Sequence, residues 1–392
     1  MLAFGIPWSN AFFNFGFYLM IIFFSFSLFN YQKWNEISKT PIVIIALAFF
    51  IFILLKTFFS FAPWELAKQD LINYRKLIAI PFLVALFRSD SQKMLLFVSY
   101  CFGAFVLMLP TLIDGFGFVN LIEHITFIPR NAAYSLSLHN LPNLVYWRNQ
   151  IVHGFHISIL LAASILGSIY FVKYRFFLLI LSALCVYDLL FFIYGRMALL
   201  SLFVTVIVIF LMHTRTKKNI VILLSAMMII LPSTYFMIPS VNIRLNSITN
   251  ELSHYFKNND IYSSSGQRLH YWNVSWNMFK ESPITGMGSG SFRHQLITSN
   301  DPLVINQAGH THNEFLTQLS QYGLIGFILF ASLLVISFIN SRKIRNLWLA
   351  NLTSAAITIF ALNCLTDSSL HNDWEGWTFV LIVSIACSNI KL

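Results

Sequence analysis

Unbroken apolar runs of roughly 20 residues recur along almost the whole chain, each long enough to cross ~30 Å of hydrocarbon as a helix. Inside lipid the backbone has no water to bond, so only helices or closed barrels can span it. The runs here are too long and too continuous for the alternating segments of a barrel. The reading is an all-α polytopic membrane protein. Composition agrees: 57% of the 392 residues are hydrophobic, 41 are Phe and 10% are charged, against ~25% charged in a soluble domain. Spans are read at about 12–29, 41–61, 77–87, 94–113, 151–172, 176–194, 197–212, 220–238, 320–339, 347–365 and 374–390. That gives 11–12 transmembrane helices. With eleven the N-terminus falls outside, and Met1–Asn10 is either the remnant of a further first helix or a half-buried arm. The first span can target the chain itself, so no cleavable signal is expected.

Basic residues set the orientation. Lys173 and Arg175, then Arg215, Lys217 and Lys218, then Arg342, Lys343 and Arg345 crowd very short connections. That side is read as the cytoplasm, which turns segments 62–76, 114–150, 239–319 and 366–373 outward. Three parts follow: an N-terminal transmembrane bundle, 1–238; one large outward loop containing short helices, 239–319; and C-terminal transmembrane helices, 320–392. Topology accounts for about half of the basic residues, so the net charge of +10 implies membrane lipids as partners and no nucleic acid. Cys101, Cys185, Cys364 and Cys387 sit in apolar spans without a C-x-x-C pair and read as small core residues. Lys56 and Asp188 are the strong mid-span charges, read as an interhelical pair or as snorkelling residues. A transporter would show paired halves with broken helices, and no internal repeat is visible.

Three outward arginines run against the topology rule. Arg196 lies in the turn Tyr194-Gly195-Arg196-Met197-Ala198, where it snorkels, pairs or serves a site. Arg268 opens an amphipathic helix with Leu269, Trp272, Trp276 and Phe279 at helical spacing, an N-cap among Ser263–Ser265 and a stop at Ser282-Pro283. In a first turn, free amides and the dipole add to its charge to make an anion site; a surface helix lying on the bilayer fits the aromatic face equally well. Arg293 follows Gly286-Met287-Gly288-Ser289-Gly290-Ser291, glycines that admit a ligand closely or merely turn the chain. No G-K-[ST] follows, so a P-loop is excluded.

His270, His294, His310 and His312 share this loop. His310-Thr311-His312 has few acids near it in sequence (Asp301, Glu314) and no H-E-x-x-H, so no metal site is expected. A single imidazole can act as general base without one. His312, at a helix entrance beside Asn313, is the better candidate; His310 follows Gly309 in a looser stretch.

These residues carry a resemblance. Gly266-Gln267-Arg268-Leu269 through Trp276 to Ser282-Pro283, then Gly286-x-Gly288, then His312-Asn313-x9-Gly323-x-x-Gly326, resembles the O-antigen ligase and polymerase superfamily, closest to the lipopolysaccharide O-antigen ligases. Gly195-Arg196-Met197-Ala198-Leu199-Leu200 resembles that family's Arg-bearing turn, and Asp367-Ser368 fits its pattern after the penultimate span. The family usually has twelve spans, so a shortened first helix departs from it. The resemblance implies a GT-C-like fold in the bacterial inner membrane with a site facing the periplasm. It implies a glycan donor on undecaprenyl diphosphate and, for a ligase, a sugar hydroxyl of lipid A–core as acceptor. His312, Arg268 and Arg196 are then the expected catalytic residues, with Arg293, Asn313 and Asp367 binding substrate and no cofactor or metal. A polymerase joining repeat units shares the chemistry, a protein-glycosylating member is a further reading, and a lipid or solute transporter is the alternative from another class.

Overall fold

The computed structural model describes residues 2–7, 15–18, 37–115, 150–193, 196–213, 232–303 and 310–387, with isolated positions 221, 225 and 228. Most of the expected spans 12–29 and 220–238, and of the outer segment 114–150, lies outside them. The principal helices are α1 (Pro41–Phe58), α2 (Trp64–Tyr74), α3 (Ala79–Leu86), α4 (Asp90–Gly115), α5 (Gln150–Tyr170), α6 (Arg175–Tyr187) and α7 (Arg196–His213). They continue with α8 (Pro239–Asn258), α9 (Ser264–Glu281), α10 (Ser291–Thr298), α11 (Glu314–Ser341), α12 (Leu347–Asn363) and α13 (Asp373–Ala386). No strand occurs among the described residues.

Among the described residues, five helical stretches are long and apolar enough to cross a membrane: 41–58, 90–113, 150–170, 172–192 and 314–341; two shorter apolar helices cover 198–212 and 347–363. This is an all-α, multi-pass membrane protein. α1 shows why. Pro41 starts it, and Ile42, Val43, Ala46, Phe49, Ile53 and Thr57 form the buried stripe at helical spacing. Its other face is just as apolar, with Ile44, Ile51, Leu55 and Phe58 exposed. A helix greasy on both sides packs one side on protein and offers the other to lipid.

The chain divides into two compact units, neither continuous in sequence. One holds residues 1–20, 91–246 and 346–359. Its α5 is buried along nearly its whole length and packs against α6 and α7, with Gly154 set against Ala198 so that the two backbones approach closely. A π-helical turn, Asp188–Phe192, follows α6. The buried Asp188 accepts from Thr111 Oγ1 at 2.6 Å and pairs with His153 Nε2 at 3.0 Å. Lys56 and Asp188 were expected as an interhelical pair or as snorkelling residues; Lys56 Nζ donates to the Gly286 carbonyl at 2.8 Å.

The other unit holds 21–90, 247–345 and 360–392. α11 packs on α1, α9 and α13, and α3 packs on α13. The expected span 77–87 is the eight-residue α3, joined back to α2 by a 3₁₀ turn at Arg75–Ile78. The span expected to start at 320 starts at Glu314 and is interrupted at Gly323, whose φ of 64° and ψ of −163° are not helical. A Cβ at Gly323 would lie 2.4 Å from the Ile284 carbonyl oxygen, so only glycine lets the 283–288 segment reach this break. That segment satisfies the opened backbone. Leu324 N donates to Pro283 O at 2.8 Å, and Gly288 N donates to Gln321 O at 2.7 Å. The glycine-rich turn thus approaches the chain's own backbone: Gly286 against Gln321–Tyr322, Gly288 against Ser60 and Gly290 against Leu66, all three at positive φ.

Candidate functional site

The mouth of α11 collects three segments of this unit: α2, residues 310–314, and the turn 364–372 between α12 and α13. Asn313 caps α11 by accepting from Leu316 N at 3.1 Å, and its Nδ2 donates to Leu365 O at 3.0 Å. Both ends of the amide are committed to structure, which accounts for Asn313 without a ligand. Thr311 is buried, with its hydroxyl 2.7 Å from the Asn313 carbonyl it donates to and 2.8 Å from Thr317 Oγ1. Pinning the middle residue inward sends its two neighbours, His310 and His312, to a common side. His312 takes φ 53°, a left-handed conformation that costs a non-glycine residue about 1–3 kcal/mol.

Both imidazoles face Asp367. His312 Nδ1 stands 3.5 Å and His310 Nδ1 3.9 Å from Asp367 Oδ1. Both Nδ1 atoms are sealed from solvent and make no hydrogen bond. The His312 side chain nevertheless keeps 29% of its surface exposed, so its open edge is the opposite one, where Nε2 lies. Tyr271 of α9 stacks on the His312 ring at 6.1 Å and 14°, and the rings of His310 and His312 meet at 4.4 Å. Asp367 is itself fixed, accepting from Ser368 N at 2.9 Å and from Asn372 Nδ2 at 3.0 Å. Burial alone would raise its carboxyl; the His312 contact and the charges of His310 and His312 hold it below the ordinary carboxylate value. Burial and the neighbouring His312 push His310 down to about 3, so it is neutral at neutral pH.

Behind this cluster runs a second pair that sequence reading missed. His371 Nε2 meets Asp70 Oδ1 at 2.5 Å, while Asp70 Oδ2 accepts from Gly290 N at 3.0 Å and Tyr322 OH at 3.3 Å. Burial opposes charge on both, yet each partner outweighs it: His371 is raised and Asp70 lowered from their ordinary values. Glu314 Oε2 accepts from Leu370 N at 3.0 Å and His371 N at 3.1 Å, which fastens the turn to the head of α11. The only hint in the sequence is that 62–76 and 366–373 were read as facing the same way as 239–319.

The remaining expected site residues fall as follows. Arg268 is half-buried in the first turns of α9, whose cap is Ser263, accepting from Gly266 N at 3.2 Å. It precedes Tyr271, whose ring stacks on His312, by three residues on α9. The buried residues of α9 are Gly266, Tyr271, Ser275 and Met278, and of the aromatic stripe Trp276 is exposed. Arg293 is on α10 and donates to Gln69 Oε1 at 3.2 Å in an exposed contact. Arg196 begins α7 in the other unit. His270 pairs with Asp301 at 2.5 Å. The four cysteines are free, and Cys185, Cys364 and Cys387 are buried.

Residues 177–331 match a family model described as O-antigen ligase, a stretch that contains Arg196, Arg268, Arg293, His312 and Asn313 but not Asp367. Among curated proteins, none matches the chain.

Proposed function

We propose that the chain is a member of the O-antigen ligase and polymerase superfamily, a reading its match over 177–331 supports, and that within it the chain is a ligase. It transfers O-antigen glycan from undecaprenyl diphosphate to a sugar hydroxyl of lipid A–core, at the periplasmic face of the inner membrane. The observation that carries this reading is the His312–Asp367 dyad at the mouth of α11, with Nδ1 turned in to a buried carboxylate and the opposite ring edge open. A carboxylate facing Nδ1 holds the proton there and leaves the Nε2 lone pair free to act as base.

In the reaction, Nε2 of His312 takes the proton of the acceptor hydroxyl as its oxygen attacks the anomeric carbon. The new glycosidic bond forms as the bond to the diphosphate breaks, which inverts the anomeric centre. The base contributes ~10²–10⁴ in rate. Arg268 supplies a guanidinium for the departing diphosphate, whose oxygens accept its planar fork bidentately; Arg196 is assigned the same chemistry. Arg293 is a weaker candidate for glycan binding, since Gln69 already engages it. The donor carries its own leaving group, so neither nucleotide nor metal is required.

Lipopolysaccharide from a strain lacking the gene tests the reading. Loss of a ligase leaves uncapped core with glycan accumulating on the carrier lipid, and plasmid-borne wild type restores capping while His312→Ala does not. Core bearing a single repeat would identify a polymerase instead.

A further inference from the structure

We propose that His310, His312 and Asp367 form a zinc-binding site whose occupation switches transfer off. The inference rests on the role of His312 as base for its regulatory half and on geometry alone for its binding half. One ring nitrogen of each histidine and a carboxylate oxygen of Asp367 all lie within 4.8 Å of one another. Two ligands ~2.0–2.1 Å from a tetrahedral zinc stand about 3.3 Å apart. The separations of 3.5 and 3.9 Å from Asp367 Oδ1 reach that value by small ring rotations.

Three further features fit a cation. Both Nδ1 atoms are buried without a hydrogen-bond partner, so two nitrogens able to ligate zinc are already withdrawn from water. The carboxylate is oriented from behind by Ser368 N and Asn372 Nδ2, the kind of support that fixes metal ligands. Thr311, locked inward between the histidines, keeps both rings on one side without help from the ion. Two imidazoles and one carboxylate with an open fourth position suit Zn²⁺ better than the oxygen-seeking Mg²⁺ or Ca²⁺.

Zinc and catalysis then compete for one nitrogen. The base form of His312 carries its proton on Nδ1 and a lone pair on Nε2. Zinc on Nδ1 requires the other tautomer, with the proton on Nε2, and the base is lost. The enzyme therefore needs no metal and is inhibited by one.

The test uses purified full-length protein in detergent, freed of metal by chelator and titrated calorimetrically with Zn²⁺, with transfer assayed in parallel. Wild type binds one Zn²⁺ tightly, loses transfer as the site fills and recovers on chelation. His310→Asn keeps its metal-free rate, binds roughly 10-fold or more weakly, and needs correspondingly more zinc for inhibition. Co²⁺ in wild type gives the intense visible spectrum of a tetrahedral site. Equal zinc affinity in wild type and His310→Asn, or a six-coordinate Co²⁺ spectrum, overturns the site. Should His310→Asn lose transfer as well, the wild-type Co²⁺ spectrum decides without any variant. Tight His310-dependent binding that leaves transfer untouched upholds the site and instead removes His312 from the chemistry.

Discussion

At the scale of single residues, the site is a chain of paired groups: Tyr271 on His312, His312 and His310 on Asp367, His371 on Asp70. Asn313 is the cap of α11, so a structural role for His312 must be tested directly. His312→Asn keeps a small polar side chain; it should fold normally and lose at least ~10² in transfer rate. A near-normal rate in a folded His312→Asn protein would assign His312 to structure. Asp367→Asn should lower kcat more than it raises KM, because it disturbs the tautomer of the base and not the donor site. The Asp70–His371 pair predicts a pH window. His371 is raised, so its stabilisation is complete below ~6.5 and is lost as pH climbs through the raised value. Asp70 is lowered, so its share is present above ~3.8 and vanishes only as pH falls through the depressed value. Thermal unfolding followed against pH should show stability declining on the alkaline side, with the decline absent in His371→Gln. His312 and Asp367 were legible because each stands in a motif. Asp70 and His371 were not, since only folding brings residues some 300 positions apart into contact.

At the scale of elements, hydropathy located helices among the described residues but left their faces open. In α9 the aromatic stripe fitted an anion site or a surface helix equally well; Trp276 is exposed and Tyr271, outside the stripe, is covered. Apolarity marks both protein-facing and lipid-facing sides of a membrane element, so it cannot tell them apart. The start of α11 was placed six residues late because its first turns are polar and buried, with Glu314, Thr317, Gln318, Ser320 and Gln321 all enclosed. Capping makes a direct prediction here. Asn313→Ala removes the cap and the tie to Leu365, and should lower stability by about 1–2 kcal/mol, read as a fall in melting temperature of the detergent-solubilised protein. Gly323→Ala should do more harm, because a Cβ adds both a strain of ~1–3 kcal/mol in a backbone region open essentially only to glycine and a collision with Ile284. A Gly323→Ala protein as stable and active as wild type would show that the break is dispensable.

At the scale of the whole molecule, a division into bundle, loop and C-terminal helices follows the order of the sequence, whereas the compact units do not. Residues 21–90 fold with 247–345 and 360–392, a partnership that no window along the chain can register. Orientation remains testable through Ser264, which is exposed at the start of α9. Ser264→Cys should react with a membrane-impermeant thiol reagent in intact spheroplasts; labelling only after lysis would reverse the topology and defeat the carrier-lipid reading. Arg268→Ala and Arg196→Ala should each abolish transfer while the protein stays in the membrane, and Lys at either position should rescue it only partly, since an ammonium lacks the planar fork. Wild-type rates in both Ala variants would remove the guanidinium groups from the mechanism.

The break in α11 also links biogenesis to architecture. A helix that restarts at Leu324 presents its first amides without intrahelical acceptors, and two of them are received by Pro283 and Ile284. An amide left bare at the head of an apolar segment costs several kcal/mol in lipid. The receiving carbonyls are synthesised some forty residues earlier, so they have emerged from the ribosome before this segment partitions into the bilayer. Insertion of α11 is therefore completed by a segment synthesised before it, and a chain whose 283–288 turn is mutated should stall half-inserted and be degraded, read as loss of full-length protein from the membrane fraction.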